Sequence, residues 1–406
     1  MAESRNVPPH APPLAGVRVL DLSRILAGPW CTMILADLGA DVIKVEPPGT
    51  GDDTRSWGGK VAGNESTYYL CANRNKRGIA VDLAKPEGRR LVQALAKKSD
   101  VLIENFKLDG LKKFGLDYPA AAALNPRLIY CSISGYGRTS PAAARAGYDV
   151  VIQGESGMMS INGEPGAPPL RIGVAVADLT TGMYAAQAIL AALYARGRTG
   201  KGQHIDLALL DCAMANLANL ASSALVTGKS PARFGNAHPD IAPYQTFKAS
   251  DGDVVVAVGN DGQFRRFCAI AGVPELADDP RFLTNPLRSR NRGELVPLLA
   301  AKVKDKPRAH WMQAMLEQGV PGGEVRDLVE ALNAPEAAAR GMTRAVPHPL
   351  AGTVRIMGSP LKFSDTPVRE PAAPPTLGQH TDEVLNEVLG LDAGAIAALR
   401  RTGAVG

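Results

Sequence analysis

The sequence lacks the cysteine pattern of a disulfide framework or a zinc site. Its five cysteines are Cys31, Cys71, Cys131, Cys212 and Cys268. They are odd in number, lie far apart and form no C-x-x-C pair. None of the six histidines has metal-ligand spacing to another. The pattern predicts reduced core cysteines, no metal site and a cytoplasmic location.

Runs of like charge and targeting segments are also scarce. The net charge of +5 is spread over 406 residues, with no basic arm, so nucleic acid is not an expected partner. The first sixteen residues carry neither a charged start followed by an apolar run nor an Arg-rich amphipathic face. We find no stretch long enough to span a bilayer and therefore expect no membrane association.

Two common catalytic motifs are missing. The chain contains no G-x-S-x-G, which argues against the usual serine hydrolases. The loop after the first predicted strand, "SRILAG" (23–28), lacks G-x-G-x-x-G, which removes the main support for a nicotinamide cofactor. On pattern alone this loop is either a ligand site or a plain connection between a strand and a helix.

What the sequence does contain is a clear alternation of strands and helices. "VRVLDL" (17–22) predicts a buried strand, "WCTMILADL" a helix and "ADVIKVE" (40–46) a second strand. Pro29 just inside the helix start and Gly39 just past its end fit helix termini. Further strands are predicted at 78–83, 100–105 and 127–133. Five strands in this rhythm predict an α/β fold with a Rossmann-like open parallel sheet.

The length of the chain favours two domains. We expect a large domain that begins with residues 1–205, a linker helix at 206–229, a smaller α+β domain at 230–334 and a return segment at 335–406 that completes the large domain. Residues 343–362 alternate like two strands with a turn at Ala351-Gly352.

The stretch "RIGVAVADLTTGMYAAQAIL" (171–190) contains the most informative carboxylate, Asp178. Apolar residues at three- and four-residue spacing predict a helix from about Leu179 onward. An Asp just before that helix accepts its first free N–H groups, so the residues alone favour a helix cap over a reactive carboxylate.

Other candidates are weaker. "NRNKR" (73–77) and "ENFK" (104–107) place basic and amide groups near strand ends, where they either meet phosphates or form a solvated charged face. His238, in the turn-rich "FGNAHPDIAPY", has either a substrate role or a role in loop structure.

Several blocks in order resemble the class III CoA-transferases. They are "PLAGVRVLDLSRILAGPWCTMILADLGADVIKVEPPGTGD", "NRNKRGIAVDL", "DVLIENF", "SGYGRTSPAAARAGYD", "VADLTTGMYAAQAILAALYARGRTGKGQ" and "LGQHTDEVL", and they run from about Pro13 to Leu389. The resemblance implies that Asp178 is the nucleophile, which reverses the reading from residues alone. A carboxylate already ionised at neutral pH needs no base to attack a thioester. The attack would give an aspartyl anhydride and then an aspartyl-CoA thioester.

The resemblance also implies a binding site for coenzyme A, which is a substrate; no cofactor is bound permanently and no metal is used. Its predicted contacts are Ile25, Leu26, Ala27, Val81, Asn105, Phe106, Lys113 and Arg145. The partners implied are an acyl-CoA, a small carboxylic acid and a second copy of the chain in an interlocked ring dimer. Glycine segments such as 135–137, which includes Gly137, are expected to be mobile and to help exclude water.

Finer resemblance points to the branch that moves CoA from a donor such as succinyl-CoA to a dicarboxylic acid such as glutarate. Pro47 and Ala84 stand where the formyl-CoA transferase pattern has basic residues, so oxalate is not the expected acceptor. The alternative is a 2-methylacyl-CoA racemase, but Tyr148, a candidate substrate contact, occupies the place of the racemase His. A phenol is a poor base at neutral pH.

The second carboxylate of a dicarboxylic acid requires a cation or a hydrogen-bond donor. The sequence leaves four candidates for this role, which are Arg24, Arg55, Arg145 and His238.

Overall fold

The computed structural model describes residues 10–63 and 65–406. Its strands are β1 Arg18–Asp21, β2 Asp41–Glu46, β3 Lys60–Ala62, β4 Glu65–Ser66, β5 Arg77–Ala80, β6 Val101–Glu104, β7 Ile129–Ser134, β8 His204–Ala208, β9 Tyr244–Ala249, β10 Gly252–Ala257, β11 Gly322–Glu324, β12 Thr343–His348 and β13 Gly352–Met357.

The α-helices are α1 Ala27–Asp37, α2 Thr67–Ala72, α3 Pro86–Lys97, α4 Tyr118–Leu124, α5 Asp149–Glu155, α6 Met158–Ile161, α7 Val176–Thr199, α8 Leu209–Ala215, α9 Ala218–Thr227, α10 Asp261–Ile270, α11 Asn285–Arg290, α12 Arg292–Val303, α13 Arg308–Glu317, α14 Leu328–Asn333, α15 Pro335–Ala339, α16 Thr381–Leu389 and α17 Ala393–Arg401.

A six-stranded sheet forms the centre of the first unit. Its strands lie in the order β5-β2-β1-β6-β7-β8, and every neighbouring pair is parallel. Counted along the chain, this is the order 3-2-1-4-5-6 of doubly wound dinucleotide-binding sheets. In such sheets, ligands bind beyond the carboxyl ends of the strands, where the order reverses. Here that place lies between the loops that follow β1 and β6.

The two faces of this sheet are covered by different helices. One apolar cluster packs α1 and α7 against the sheet and includes Val19, Leu35 and Ile189. The other packs α3, α16 and α17 against the opposite face and includes Leu20 and Leu385. Because both faces are buried, the middle of β1, β2 and β6 carries adjacent apolar residues, such as Val19 and Leu20, instead of an alternation of apolar and polar ones.

The chain divides into two units. The first comprises the chain up to Met158, Ile172–Ser222 and Pro335–Gly406, and the second comprises Met159–Arg171 and Ser223–Ala334. The sequence places the smaller domain at 230–334, whereas the second unit of the structure begins at Ser223 and adds Met159–Arg171. The second unit contains the antiparallel sheet β11-β10-β9 and its own apolar core, with Phe264 and Trp311 among the buried side chains.

The predicted linker helix at 206–229 is wrong. Its first residues belong to β8, the sixth strand of the large sheet, and the rest form α8 and α9, which are bent by 84°. The predicted strand pair at 343–362 is confirmed as β12 and β13, which pair antiparallel from Thr343 opposite Met357 to His348 opposite Gly352.

Helix α7 corrects a second expectation. With 24 residues and a mean hydropathy of 1.3 over its most apolar 18-residue window, it is long and apolar enough to cross a bilayer. Its buried residues, among them Ala177, Ala185 and Ile189, pack into the core between α1 and the sheet. The apolar character of α7 is therefore used in packing the first unit.

Candidate active site

A cavity of about 170 Å³ opens at the carboxyl ends of β1, β6 and β7. Its lining includes Asp178 and seven of the residues predicted from the sequence: Ile25, Leu26, Ala27, Asn105, Phe106, Arg145 and Tyr148. The seven predicted residues come from three segments that are far apart in the sequence, and Asp178 comes from α7. The structure therefore brings the carboxylate and most of the implied CoA contacts to one place, where the strand order of the sheet reverses.

A larger cavity of about 440 Å³ shares Arg24, Asp53 and Phe106 with the first one. Val81 lines it, together with Pro47 and Ala84, the positions where the sequence departs from the formyl-CoA transferase pattern. Lys113 does not line either cavity directly. Its ammonium lies 4.8 Å from the centre of the Phe114 ring, and Phe114 belongs to the wall of the larger cavity.

The glycine segment 135–137 is packed against a neighbouring loop. A Cβ on Gly135 would lie 2.7 Å from Cα of Gly147, so this glycine allows two backbones to touch. Tyr136 is buried, and Gly137 adopts a φ of +80° while its N–H donates to Ser134 Oγ at 3.0 Å. Close packing thus requires a glycine at 135, and the left-handed backbone favours one at 137.

Asp178 is the third residue of α7 and does not cap it. The N-cap position belongs to Ala175, which has no side-chain cap. Instead, Asp149 Oδ1 accepts hydrogen bonds from Ala177 N at 2.8 Å and Asp178 N at 3.4 Å, while Oδ2 accepts from Gln153 at 2.7 Å. The helix is thus capped by a carboxylate from α5, and the cap interpretation of Asp178 is wrong.

Burial and the neighbouring charge of Asp149, in that order, raise the pKa of Asp178 from its ordinary value of 3.8 to about 7. Both causes disfavour the charged form. Asp178 is therefore about half ionised at neutral pH, whereas the sequence argument assumes full ionisation. Its carboxylate is correspondingly more basic than an exposed one.

Tyr68 lies near enough to Asp178 to feel its charge, although the sequence does not single it out. Burial and then the charge of Asp178 raise the pKa of Tyr68 to about 12, so the phenol keeps its proton at neutral pH and remains a hydrogen-bond donor near the carboxylate. The Tyr68 ring packs edge-on against Trp57 at 5.4 Å between centroids. Its only sequence signal is its place in "STYYLCANRNKR", which does not distinguish it from the tyrosine that follows.

Gly182 sets the spacing between Asp178 and the opposite wall. A Cβ at this position would lie 2.6 Å from the carbonyl oxygen of Ala27 and 3.0 Å from Trp30 Cδ1. Only glycine lets α7 run this close to α1 without displacing backbone. The glycine of the T-G pair, one helical turn after Asp178, is thus required by the close packing of α7 against α1.

The four candidates for a distal carboxylate have different environments. Arg24 and Arg145 both line the smaller cavity and form exposed ion pairs with Asp53 and Glu155. Arg55 is 2% exposed, and its guanidinium is bound by Glu46 and Glu65. This candidate is therefore wrong, because the Arg55 side chain is used inside the protein.

His238 lies in the second unit. Its Nδ1 accepts a hydrogen bond from Asp240 N at 3.0 Å, and its ring packs edge-on against Tyr244 at 5.3 Å between centroids. These contacts support the local turn, which ends at Pro243 after a cis peptide bond. Among residues 10–63 and 65–406, no group of three or more His, Cys, Asp or Glu side chains is arranged to hold a metal ion.

Residues 14–381 match the model of CoA-transferase family III. The chain is 46% identical to a succinate–glutarate CoA-transferase of Agrobacterium fabrum, over 94% of this chain and 97% of that protein. It is 44% identical to the human succinyl-CoA:glutarate CoA-transferase, over 97% and 90% of the two chains. Among solved structures, a CAIB/BAIF family protein from Brucella suis superposes with a TM-score of 0.85 at 47% identity, covering 93% of this chain and all of that one.

Proposed function

The chain belongs to CoA-transferase family III, and from this membership we propose that it transfers CoA from succinyl-CoA to glutarate. The observation that carries the choice of substrates is the similarity to succinate–glutarate CoA-transferases along nearly the full length. The cavity supports it, since Asp178 lies there together with the cations Arg24 and Arg145. Either arginine matches the second carboxylate of a diacid in charge.

Asp178 is proposed as the nucleophile. Its carboxylate oxygen attacks the thioester carbon of succinyl-CoA, the carbon–sulfur bond breaks, and CoA leaves as the thiolate with a succinyl-aspartyl anhydride left behind. The thiolate then attacks the aspartyl carbonyl of the anhydride and releases succinate. The product is a thioester between CoA and Asp178.

The second half of the reaction repeats these steps in reverse. A glutarate carboxylate attacks the aspartyl-CoA carbonyl, and the thiolate leaves and then attacks the glutaryl carbonyl. Glutaryl-CoA forms and the Asp178 carboxylate is regenerated. One thioester is exchanged for another, so the energy of the bond is conserved and no ATP is consumed. Both anhydrides hydrolyse readily, which makes exclusion of water by the cavity walls essential.

The elevated pKa of Asp178 gives a test of this assignment. Asp149→Asn keeps an oxygen that accepts from Ala177 N but removes the neighbouring negative charge. The pKa of Asp178 then falls, while burial still holds it above its ordinary value. We expect kcat/KM of the wild type to rise with pH through about 7, and this ascending limb to lie about one pH unit lower in the variant.

The measurement is the initial rate between pH 5 and 9. Asp211→Asn, an exposed carboxylate on α8, is the matched control and should leave the limb in place. An unchanged limb in Asp149→Asn would show that the charge of Asp149 does not act on the reacting group.

The substrates are tested by incubating the protein with succinyl-CoA and, separately, oxalate, malonate, glutarate or adipate, and by measuring new CoA thioesters by mass spectrometry. We expect glutaryl-CoA to form fastest, with one succinate released per thioester and little free CoA. Faster transfer to oxalate would overturn the proposed acceptor. Exchange of the α-proton of a 2-methylacyl-CoA in D₂O, without any acceptor, would favour the racemase instead.

Self-association as a homodimer is also proposed. Along the solvent side of α7, the large side chains of Met183, Tyr184 and Tyr194 are 44%, 38% and 73% exposed. Apolar and aromatic side chains that line one face of a helix are typical of an interface. A dimer that covered this face would protect the helix that carries Asp178.

A further inference from the structure

The loop that joins β1 to α1 is held in a strained conformation. Ile25 has a φ of +71°, a region that β-branched residues avoid because Cβ crowds the backbone. Ile25, Leu26 and Ala27 nevertheless line the cavity that contains Asp178. Since the sequence places no glycine at position 25, other residues must hold this backbone in place.

The Asn105 side chain binds both backbone groups of Arg24, the residue before Ile25. Its Oδ1 accepts a hydrogen bond from Arg24 N at 3.0 Å, and its Nδ2 donates to Arg24 O at 2.7 Å. The amide thus binds the backbone of Arg24 as a neighbouring strand would. Asn105 is well placed for this because it directly follows β6, the parallel neighbour of β1.

Asp52 and Lys44 hold the residues on either side of Arg24. Both oxygens of Asp52 lie 3.3 Å from Ile25 N. Lys44 Nζ donates to Ser23 O at 2.9 Å and to Asp52 Oδ2 at 2.9 Å. The Lys44 and Asp52 side chains are fully buried, and Thr54 N and Oγ1 donate to Asp52 Oδ1 at 3.0 and 2.8 Å. Lys44 and Thr54 therefore fix the position of the Asp52 carboxylate independently of its contact with Ile25.

We propose that Asn105, Asp52 and Lys44 form a clamp that positions the Ile25–Ala27 wall to receive CoA. Asn105 is then a positioning residue that acts through the loop, in contrast to the direct CoA contact implied by the family resemblance. The proposal rests on the proposed function only in taking CoA as the ligand. Without the clamp, Ile25 relaxes toward negative φ, and the fraction of molecules with a wall ready for CoA falls.

A double-mutant cycle separates positioning from contact. Asn105→Ala and Ile25→Gly are made singly and together, and CoA affinity is measured by calorimetry. Because apparent Kd rises as the competent fraction falls, Asn105→Ala should raise Kd about tenfold in the wild-type background. In the Ile25→Gly background the same change should raise Kd by about threefold or less, because glycine adopts positive φ without strain.

The kinetic readout is equally specific. Saturating acyl-CoA drives the loop back to the competent form, so Asn105→Ala should raise KM about tenfold and leave kcat within about threefold. Hydrogen exchange gives a readout that needs no ligand. The amides of Arg24 and Ile25, which donate to Asn105 and Asp52, should exchange faster in Asn105→Ala than in the wild type.

Asn125→Ala is the matched control. The Asn125 side chain also binds loop backbone, through Ser99 O at 2.9 Å and Arg127 N at 3.0 Å, but it precedes β7 and so lies near the amino ends of the strands, away from the cavity. Its removal should leave CoA affinity unchanged. Near-UV circular dichroism checks folding, and where Asn105→Ala does not fold, Asn105→Ser repeats the cycle with a side chain too short to reach both groups.

Equal weakening of CoA binding by Asn105→Ala in both backgrounds would show that the amide contacts CoA directly and would overturn the clamp alone. Unchanged affinity and unchanged hydrogen exchange would do the same. A wild-type chain that bound no CoA would overturn the proposed function as well, so the two failures are distinguishable.

Discussion

With Asp178 as the proposed nucleophile, Asp178→Asn lowers the rate of CoA transfer on the order of 10⁴-fold, because an amide oxygen does not replace a carboxylate in forming the covalent intermediates. The substitution preserves the shape of the side chain and leaves the capping contacts of Asp149, which are made to backbone N–H groups. Loss of activity in this variant therefore reports on the chemistry of position 178.

The same variant should be more stable than the wild type at pH 8. The pKa of Asp178 is higher in the folded protein, about 7, than its ordinary 3.8. The folded state therefore holds this proton more tightly, and stability falls as pH rises from about 4 through 7. A rise of this size corresponds to at most about 4 kcal/mol. We expect Asp178→Asn to add about 2–4 kcal/mol to the free energy of unfolding at pH 8 and almost nothing at pH 4.

Asp53→Asn is the matched control for the predicted loss of CoA transfer in Asp178→Asn. Asp53 also lines the cavity, but it is exposed and paired with Arg24. Its replacement should leave the rate within about tenfold of the wild type, since an exposed pair contributes little. Comparable losses in both variants would mean that the cavity needs negative charge in general and that Asp178 has no special chemical role.

Arg55→Met lowers the free energy of unfolding by about 3–5 kcal/mol, because it leaves two buried carboxylates without their cation. Arg55 Nε and Nη2 bind Glu46 at 2.8 and 2.9 Å, and Nη1 binds Glu65 at 2.6 Å. Nη2 also donates to Pro375 O at 3.1 Å, which joins the N-terminal part of the first unit to its return segment. The guanidinium stacks on the Tyr69 ring at 3.7 Å from its centre.

The measurement is urea unfolding at pH 7.5, with Arg281→Met as the control. Arg281 also binds two carboxylates, Asp279 and Glu294, but its side chain is half exposed, so its loss should leave the free energy of unfolding close to that of the wild type. The folded fraction of Arg55→Met should keep the KM for glutarate. A variant with wild-type stability and a raised KM for glutarate would return Arg55 to the substrate site.

The large sheet could be predicted because its strands are short apolar runs bounded by glycine, proline and polar residues. Strands predicted at 17–22 and 40–46 appear as β1 and β2, and the helix between them ends before Gly39, which has a φ of +100°. Strand β8 could not be predicted in this way. "HIDLA" continues without a break into an apolar run, and its extended form depends on pairing with β7, a contact that local sequence does not encode.

The site was less accessible to sequence reasoning. Asp178 stands before a helical stretch and reads locally as a cap, and only the family resemblance suggests another role. The true cap, Asp149, lies 29 residues earlier in the chain and reaches α7 through the tertiary fold. Arg55 illustrates the opposite error, since an arginine near a strand end gives no sign of its buried carboxylate partners. In both cases, contacts between segments that are distant in the sequence determine the role of the side chain.

The most direct test of the account is the covalent intermediate itself. The protein is incubated briefly with succinyl-CoA without acceptor, quenched in acid and analysed by intact mass and peptide mapping. With Asp178 as the nucleophile, we expect a CoA adduct on the peptide that contains Asp178, no adduct in Asp178→Asn, and loss of the adduct from the wild type when glutarate is added. An adduct on another residue, or rapid transfer to glutarate with no adduct at any time, would contradict it.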